Sequence, residues 1–109
     1  MKNRKTHQEP LEDAPAFAWG VAIKKYLISR KKMHVLSYQD ISARLKTYHM
    51  NQSPQNLSAK FNQGKLSASL FASSLIAMGE KEIDLKELQK IFEDVQENNS
   101  SHFDKGTKT

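Results

Sequence analysis

The chain has no cysteine among its 109 residues. That excludes disulfides, thiolate catalysis and cysteine-based zinc sites, and it accords with a reducing cytosol. Glycine occurs at four isolated positions, so no glycine-rich loop is available to cradle a phosphate. No apolar run approaches the roughly 18 residues that would span a bilayer. No apolar segment follows the basic opening MKNRKTH, so no secretory signal is expected and the protein is expected in the cytoplasm. Nothing alternates with period two for long enough to make a strand.

What remains is a small, basic, helix-forming chain with room for one domain. Its ends are poor in apolar residues: MKNRKTHQEPLEDAP has one isolated Leu, and QENNSSHFDKGTKT one isolated Phe. Such segments bury too little surface to offset ordering entropy. A flexible arm is therefore expected over 1–15, a helical domain over 16–96 and a disordered polar tail over 97–109. The net charge of +5 is unevenly spread, with 12 Lys and Arg against 4 Asp and Glu up to Lys65, and 5 against 8 beyond it. A basic field on one half favours capture of a polyanion.

Five helices are predicted. Helix 1 runs from about Ala16 to Lys32, with Trp19, Ile23, Tyr26 and Leu27 on one stripe, and Gly20 permits a close helix approach. Arg30, Lys31 and Lys32 suit the negative end of its dipole and equally suit a phosphate clamp. Helix 2 begins after Ser37, with Asp40 completing a capping box; Tyr38, Ile41, Leu45 and Tyr48 should face the core. Helix 3 spans Pro54 to about Gln63, capped by Ser53 and ended by Gly64 in the left-handed conformation. Helix 4, about Ala68 to Met78, lies between Ser67 and Gly79, with Leu70, Phe71, Leu75, Ile76 and Met78 mostly buried. Helix 5 starts at Asp84 with Glu87 three residues on, and carries Leu85, Leu88, Ile91, Phe92 and Val95 as an amphipathic stripe.

Helix 3 has only Leu57 and Phe61 as apolar anchors; the rest of its surface is amide-rich. Asn and Gln side chains can bond adenine N6 and N7 with both ends of the amide. In a helix-turn-helix, here about 37–64, the first turns of the second helix meet base edges while flanking segments hold phosphates. The same residue types also make an ordinary solvated helix face, so the reading draws on the surrounding capped helices and the basic half as well.

SYQDISARL, then NLSAKFNQGKLSASLFASSLIAMG, then IDLKEL together resemble the lambda-repressor-like class of helix-turn-helix regulators. Ile41-Ser42 stands at the class's Leu-Ala position, Gly64 at the groove-helix glycine and Met78-Gly79 at the terminal pair. The segment YHMNQSP is longer than the usual tight turn and should bulge outward. That extension, with the Trp19 helix before it and NL-x-x-K-x-x-x-G after it, resembles a smaller bacterial family, domain of unknown function six-four-seven-one, over about Trp19 to Leu85. The resemblance implies an all-α, compact five-helix lambda-repressor-like domain with flexible polar ends. By analogy Gln55, Asn56 and Ala59 would face the groove, and Lys60 and Asn62 would lie nearer phosphates. Arg30, Lys31, Lys32, Arg44, Gln52, Ser53 and Lys65 are the further phosphate-contact candidates.

No other chemistry stands out. His7, His34, His49 and His102 share no ligand spacing, so no metal or cofactor is expected. The cluster Glu80, Glu82, Asp84 and Glu87 reads as a solvated face, and no enzyme activity or small-molecule ligand is expected. Helix 5 can complete the core, or Leu85, Leu88, Ile91, Phe92 and Val95 can meet a second copy; a homodimer would let two groove helices read half-sites one DNA turn apart. The expected function is sequence-specific binding of double-stranded DNA, as a transcriptional regulator. The alternative is a protein-interaction module, antitoxin-like or adaptor, on the same scaffold and using helix 84–96.

Overall fold

Hydrogen bonds local to each turn begin and end the inner helices of this chain. The computed structural model describes the backbone of residues 2–108 and the side chains of residues 16–98. The expectations for the arm over 1–15 and for most of the tail over 97–109 lie outside those described side chains. Five α-helices follow one another: α1 (Lys2–Met33), α2 (Tyr38–Leu45), α3 (Pro54–Gln63), α4 (Ala68–Met78) and α5 (Leu85–Lys108). A 3-10 turn, Lys46–Tyr48, extends α2. No strand occurs among the described residues. The protein is all-α.

The predicted caps form. Ser37 Oγ accepts from the Asp40 N–H at 3.1 Å while Asp40 Oδ2 accepts from the Ser37 N–H at 2.9 Å, a reciprocal box that satisfies two end donors of α2. These bonds hold the Asp40 carboxyl below its ordinary value. Ser53 caps α3 through Asn56 N–H, Ser67 caps α4 through Leu70 N–H, and Asp84 caps α5 through Glu87 N–H. The second half of the α5 box is absent. Glu87 turns to Arg30 instead, and the Asp84 N–H donates to Tyr26 Oη at 2.8 Å. The hydroxyl of a wholly buried tyrosine on α1 thus fixes the start of α5.

Helix ends share one device: a left-handed residue after the helix, with the next N–H bonded back to a carbonyl five residues earlier. Gly64 and Gly79 supply it after α3 and α4, as predicted. Val35 (φ 53°) and His49 (φ 61°) supply it after α1 and after the 3-10 turn. Histidine is among the residues enriched in that conformation, whereas β-branched Val35 opposes it.

The core gathers Tyr26 and Leu27 of α1, Ile41 and Leu45 of α2, Leu57 and Phe61 of α3, and Leu70, Leu75 and Met78 of α4. The first turns of the α1 stripe sit one residue round from expectation. Ala18 and Ala22 are fully covered, whereas Trp19 lies flat on Phe92 at 4.0 Å between ring centroids and remains 39 % exposed. Ile76 is half exposed, contrary to expectation, because Ser74, Leu75, Ala77 and Met78 already fill the inward face of α4. Tyr48 also departs from the predicted core set. The tighter 3-10 winding after Leu45 turns it away from the row begun by Ile41 and Leu45, and it is exposed.

The long 47–53 segment is exposed over Thr47–His49, Asn51 and Ser53, and is tied down at Met50 and Gln52. Ser42 Oγ donates to the Gln52 carbonyl at 2.6 Å, and Met50 packs against the core. On α5, Leu88 and Val95 are buried, and Ile91 and Phe92 are half-buried. These four partner candidates are occupied within the chain, since α5 packs along α1. Only Leu85 of that set stands free, 68 % exposed.

Candidate nucleic-acid interface

Two side chains set the rotation of α3. Leu57 and Phe61, one turn apart, are both fully covered, and Tyr38 of α2 meets the Phe61 ring edge-on at 5.4 Å. With that row turned inward, the 100° step of the helix sends the others out. Gln55, Asn56, Ala59, Asn62 and Gln63 are exposed; Lys60 is half-buried. Gln55, Ala59 and Asn62 share one row and Asn56, Lys60 and Gln63 the next, so the three candidate base readers lie together on one face.

The position of α3 along its axis is fixed at its C-terminal end. Gly64 sits against Gly20 of α1 so closely that a Cβ there would fall 3.0 Å from the Gly20 Cα and closer still to its carbonyl. Ser53, with Pro54, fixes the other end.

The phosphate candidates separate into free and committed groups. Lys32 and Lys65 are exposed. Arg44 is exposed, though its Nη1 donates to the Ala77 carbonyl at 3.0 Å, closing the end of α4. Lys31 holds its ammonium 4.6 Å above the Tyr38 ring. Asn62 folds back along α3, its Nδ2 donating to the Ser58 carbonyl at 2.8 Å. Ser53 is exposed, with its hydroxyl oxygen engaged by the Asn56 N–H.

Two candidates are corrected. Gln52 is turned inward, with its carbonyl taken by Ser42 and its Oε1 buried. Arg30 is also withdrawn. Its side chain is only 11 % exposed, paired with Glu87 and 3.9 Å from both Glu80 and Asp84. Burial works against its charge, yet Tyr26, Glu87 and Glu80 outweigh that and hold its pKa above the ordinary value. His34 joins the same cluster through Glu80 at 2.6 Å. Arg30 thus ties α1 to the α4–α5 connection and to α5.

The predicted acidic face of Glu80, Asp84 and Glu87 is in this way largely a counter-charge for Arg30. By contrast, from Ile41 to Gly79 the chain contains no Asp or Glu at all. The second half of α2 and all of α3 therefore carry Arg44, Lys60 and the α3 amides without a carboxylate, and α4 adds no charge of either sign. Sequence reasoning passed over Lys46, exposed on the 3-10 turn, and Lys24 and Lys25 of α1. Their signal, a place beside α3 or its flanks with Lys25 and Lys46 exposed and Lys24 half-buried, depends on the helix packing.

Among the described residues no helix is long and apolar enough to cross a membrane, and no cluster of three potential metal-binding side chains occurs. No curated protein and no solved structure matches the chain. Residues 19–83 match the model of one family, Domain of unknown function (DUF6471). That span begins at the stacked Trp19, takes in all of α2, α3 and α4, and covers more than half of the chain, which therefore belongs to the DUF6471 family.

Proposed function

We propose that the protein binds double-stranded DNA in a sequence-specific manner and acts in the cytoplasm as a transcriptional regulator of the helix-turn-helix kind, with α3 as the groove helix. The observation that carries this reading is the orientation of α3. Leu57 and Phe61 are its inward row, and Gln55, Asn56 and Ala59 stand outward in a region without a single carboxylate. Amides on the first turn can read adenine edges, and Ala59 leaves room for a thymine methyl. Lys60 and Lys65 supply charge for the flanking backbone. The resemblance to lambda-repressor-like regulators supports the same assignment. The protein-interaction alternative draws on α5, whose stripe is largely spent on α1.

Selection from a random duplex pool at about 150 mM salt, where non-specific charge binding is suppressed, tests the proposal. The expected result is an enriched motif. Gln55→Ala and Asn56→Ala should each weaken binding to it by about 1–3 kcal/mol, and Lys60→Ala and Lys65→Ala should weaken all duplexes alike. Recovery of no duplex, or an unchanged motif with both amide variants, would overturn the proposal.

A further inference from the structure

Outside the α3 face, a recess runs between the first half of the described part of α1 and the end of α3. It encloses about 680 Å3. Phe17 and Trp19 contribute apolar wall, Lys24 and Lys25 line the α1 side, and Gln63 and Lys65 line the α3 side. Among the described residues no carboxylate borders it. Lys24 and Lys25 also border a shallower recess that continues along α1 to Lys32, again without a carboxylate among the described residues. Among the described residues, none of these four lysines lies within ion-pair distance of an Asp or Glu. Arg30, on the same helix, is by contrast surrounded by three. Among the described cations of α1, folding has therefore neutralised Arg30 and left the row of Lys24, Lys25 and Lys32 without a described carboxylate at ion-pair distance.

From this row we infer that the α1–α3 recess is a second contact for nucleic acid: a track for one sugar–phosphate strand leaving the α3 face, held by Lys24, Lys25 and Lys65. The inference rests on the reading of α3 as a groove helix. It adds a surface on a different element that contributes affinity without base preference. Charge complementarity selects the occupant. Lys24 and Lys32 are about 12 Å apart along an α-helix, and a DNA strand presents a phosphate about every 3.4 Å of duplex axis, so the row spans several phosphates. Lys65 joins the end of α3 to this row. The exposed edges of Phe17 and Trp19 give the sugars an apolar surface.

The test is the salt dependence of duplex binding by the full chain. Removing one phosphate-neutralising cation reduces the log–log slope by about 0.9. Lys24→Ala/Lys25→Ala should flatten the slope by about 2, equally on the selected sequence and on an unrelated duplex, with the motif unchanged. Lys24→Arg/Lys25→Arg should restore the slope. Lys86→Ala/Lys90→Ala, which removes two exposed cations from α5, should leave it as in the wild type. A wild-type slope in Lys24→Ala/Lys25→Ala, with DNA binding intact, overturns the track alone. Absence of duplex binding by the wild type overturns both the track and the groove-helix reading.

Discussion

Gly64 and Gly20 touch backbone to backbone, and the contact is one-sided. A Cβ on Gly64 would enter the Gly20 peptide, whereas a Cβ on Gly20 would meet its nearest neighbour, the Gly64 carbonyl oxygen, at an ordinary 3.7 Å. Gly64 is also held at φ 65°. Gly64→Ala should therefore combine left-handed strain with overpacking, destabilising the fold by about 3 kcal/mol or more. Gly20→Ala should gain about 0.5–1 kcal/mol from helix propensity. Urea unfolding of the two variants checks the asymmetry; equal destabilisation would contradict it.

Arg30 belongs to the scaffold. Arg30→Ala should cost about 2 kcal/mol, less than a fully buried pair because Asp84 and Glu87 keep part of their solvent. The same variant, where folded, should leave the salt slope of duplex binding unchanged. A flattened slope would return Arg30 to the phosphate contacts.

Val35 carries strain without compensation from burial, being 86 % exposed at φ 53°. Relief of about 1–2 kcal/mol in the folded state is offset by the greater freedom of glycine in the unfolded chain. Val35→Gly should raise stability by up to about 1 kcal/mol, and Val35→Asn, which tolerates the same conformation, should also raise it. A fall in the midpoint of thermal unfolding for both would contradict the assignment of the α1 end.

Asp40 should give the fold an acid limb. Its carboxyl is held below the ordinary 3.8 by the Ser37 N–H and hydroxyl. The folded value lies below the unfolded one, so the contribution is full above the ordinary carboxyl range and is lost as pH falls through the lowered folded value. Asp40→Asn should destabilise at neutral pH and show a shallower decline as pH falls below the ordinary carboxyl range. Parallel wild-type and variant curves over that fall would contradict the role.

The caps were legible in the sequence because their chemistry is local. Ser37 with Asp40, Ser53 with Pro54, and Ser67 each lie within three residues of the N–H they satisfy, and Gly64 and Gly79 advertise the left-handed turn. Val35 makes the same turn with a residue that does not announce it, and His49 announces it only weakly beside a glycine. The anchors and outward face of α3 were also legible, because two large apolar residues at helical spacing leave one way to orient ten residues. Arg30 was not. Its partners, Glu80, Asp84 and Glu87, are distant in sequence and meet it only when α5 lies along α1. Lys24 and Lys25 were missed for the same reason, since their recess needs the crossing at Gly20 and Gly64. Gln52 misled because an amide beside a helix start looks like a donor for an anion until the fold turns it inward.

The double fixing of α3 has a thermodynamic consequence. A helix held at Ser53 by its cap, along its length by Leu57 and Phe61, and at Gly64 by the α1 backbone is already ordered before any partner arrives. Association through its outer face would then carry no folding of its own. Its heat-capacity change should follow the apolar surface covered at the contact alone, without the larger signature of a segment that folds as it binds.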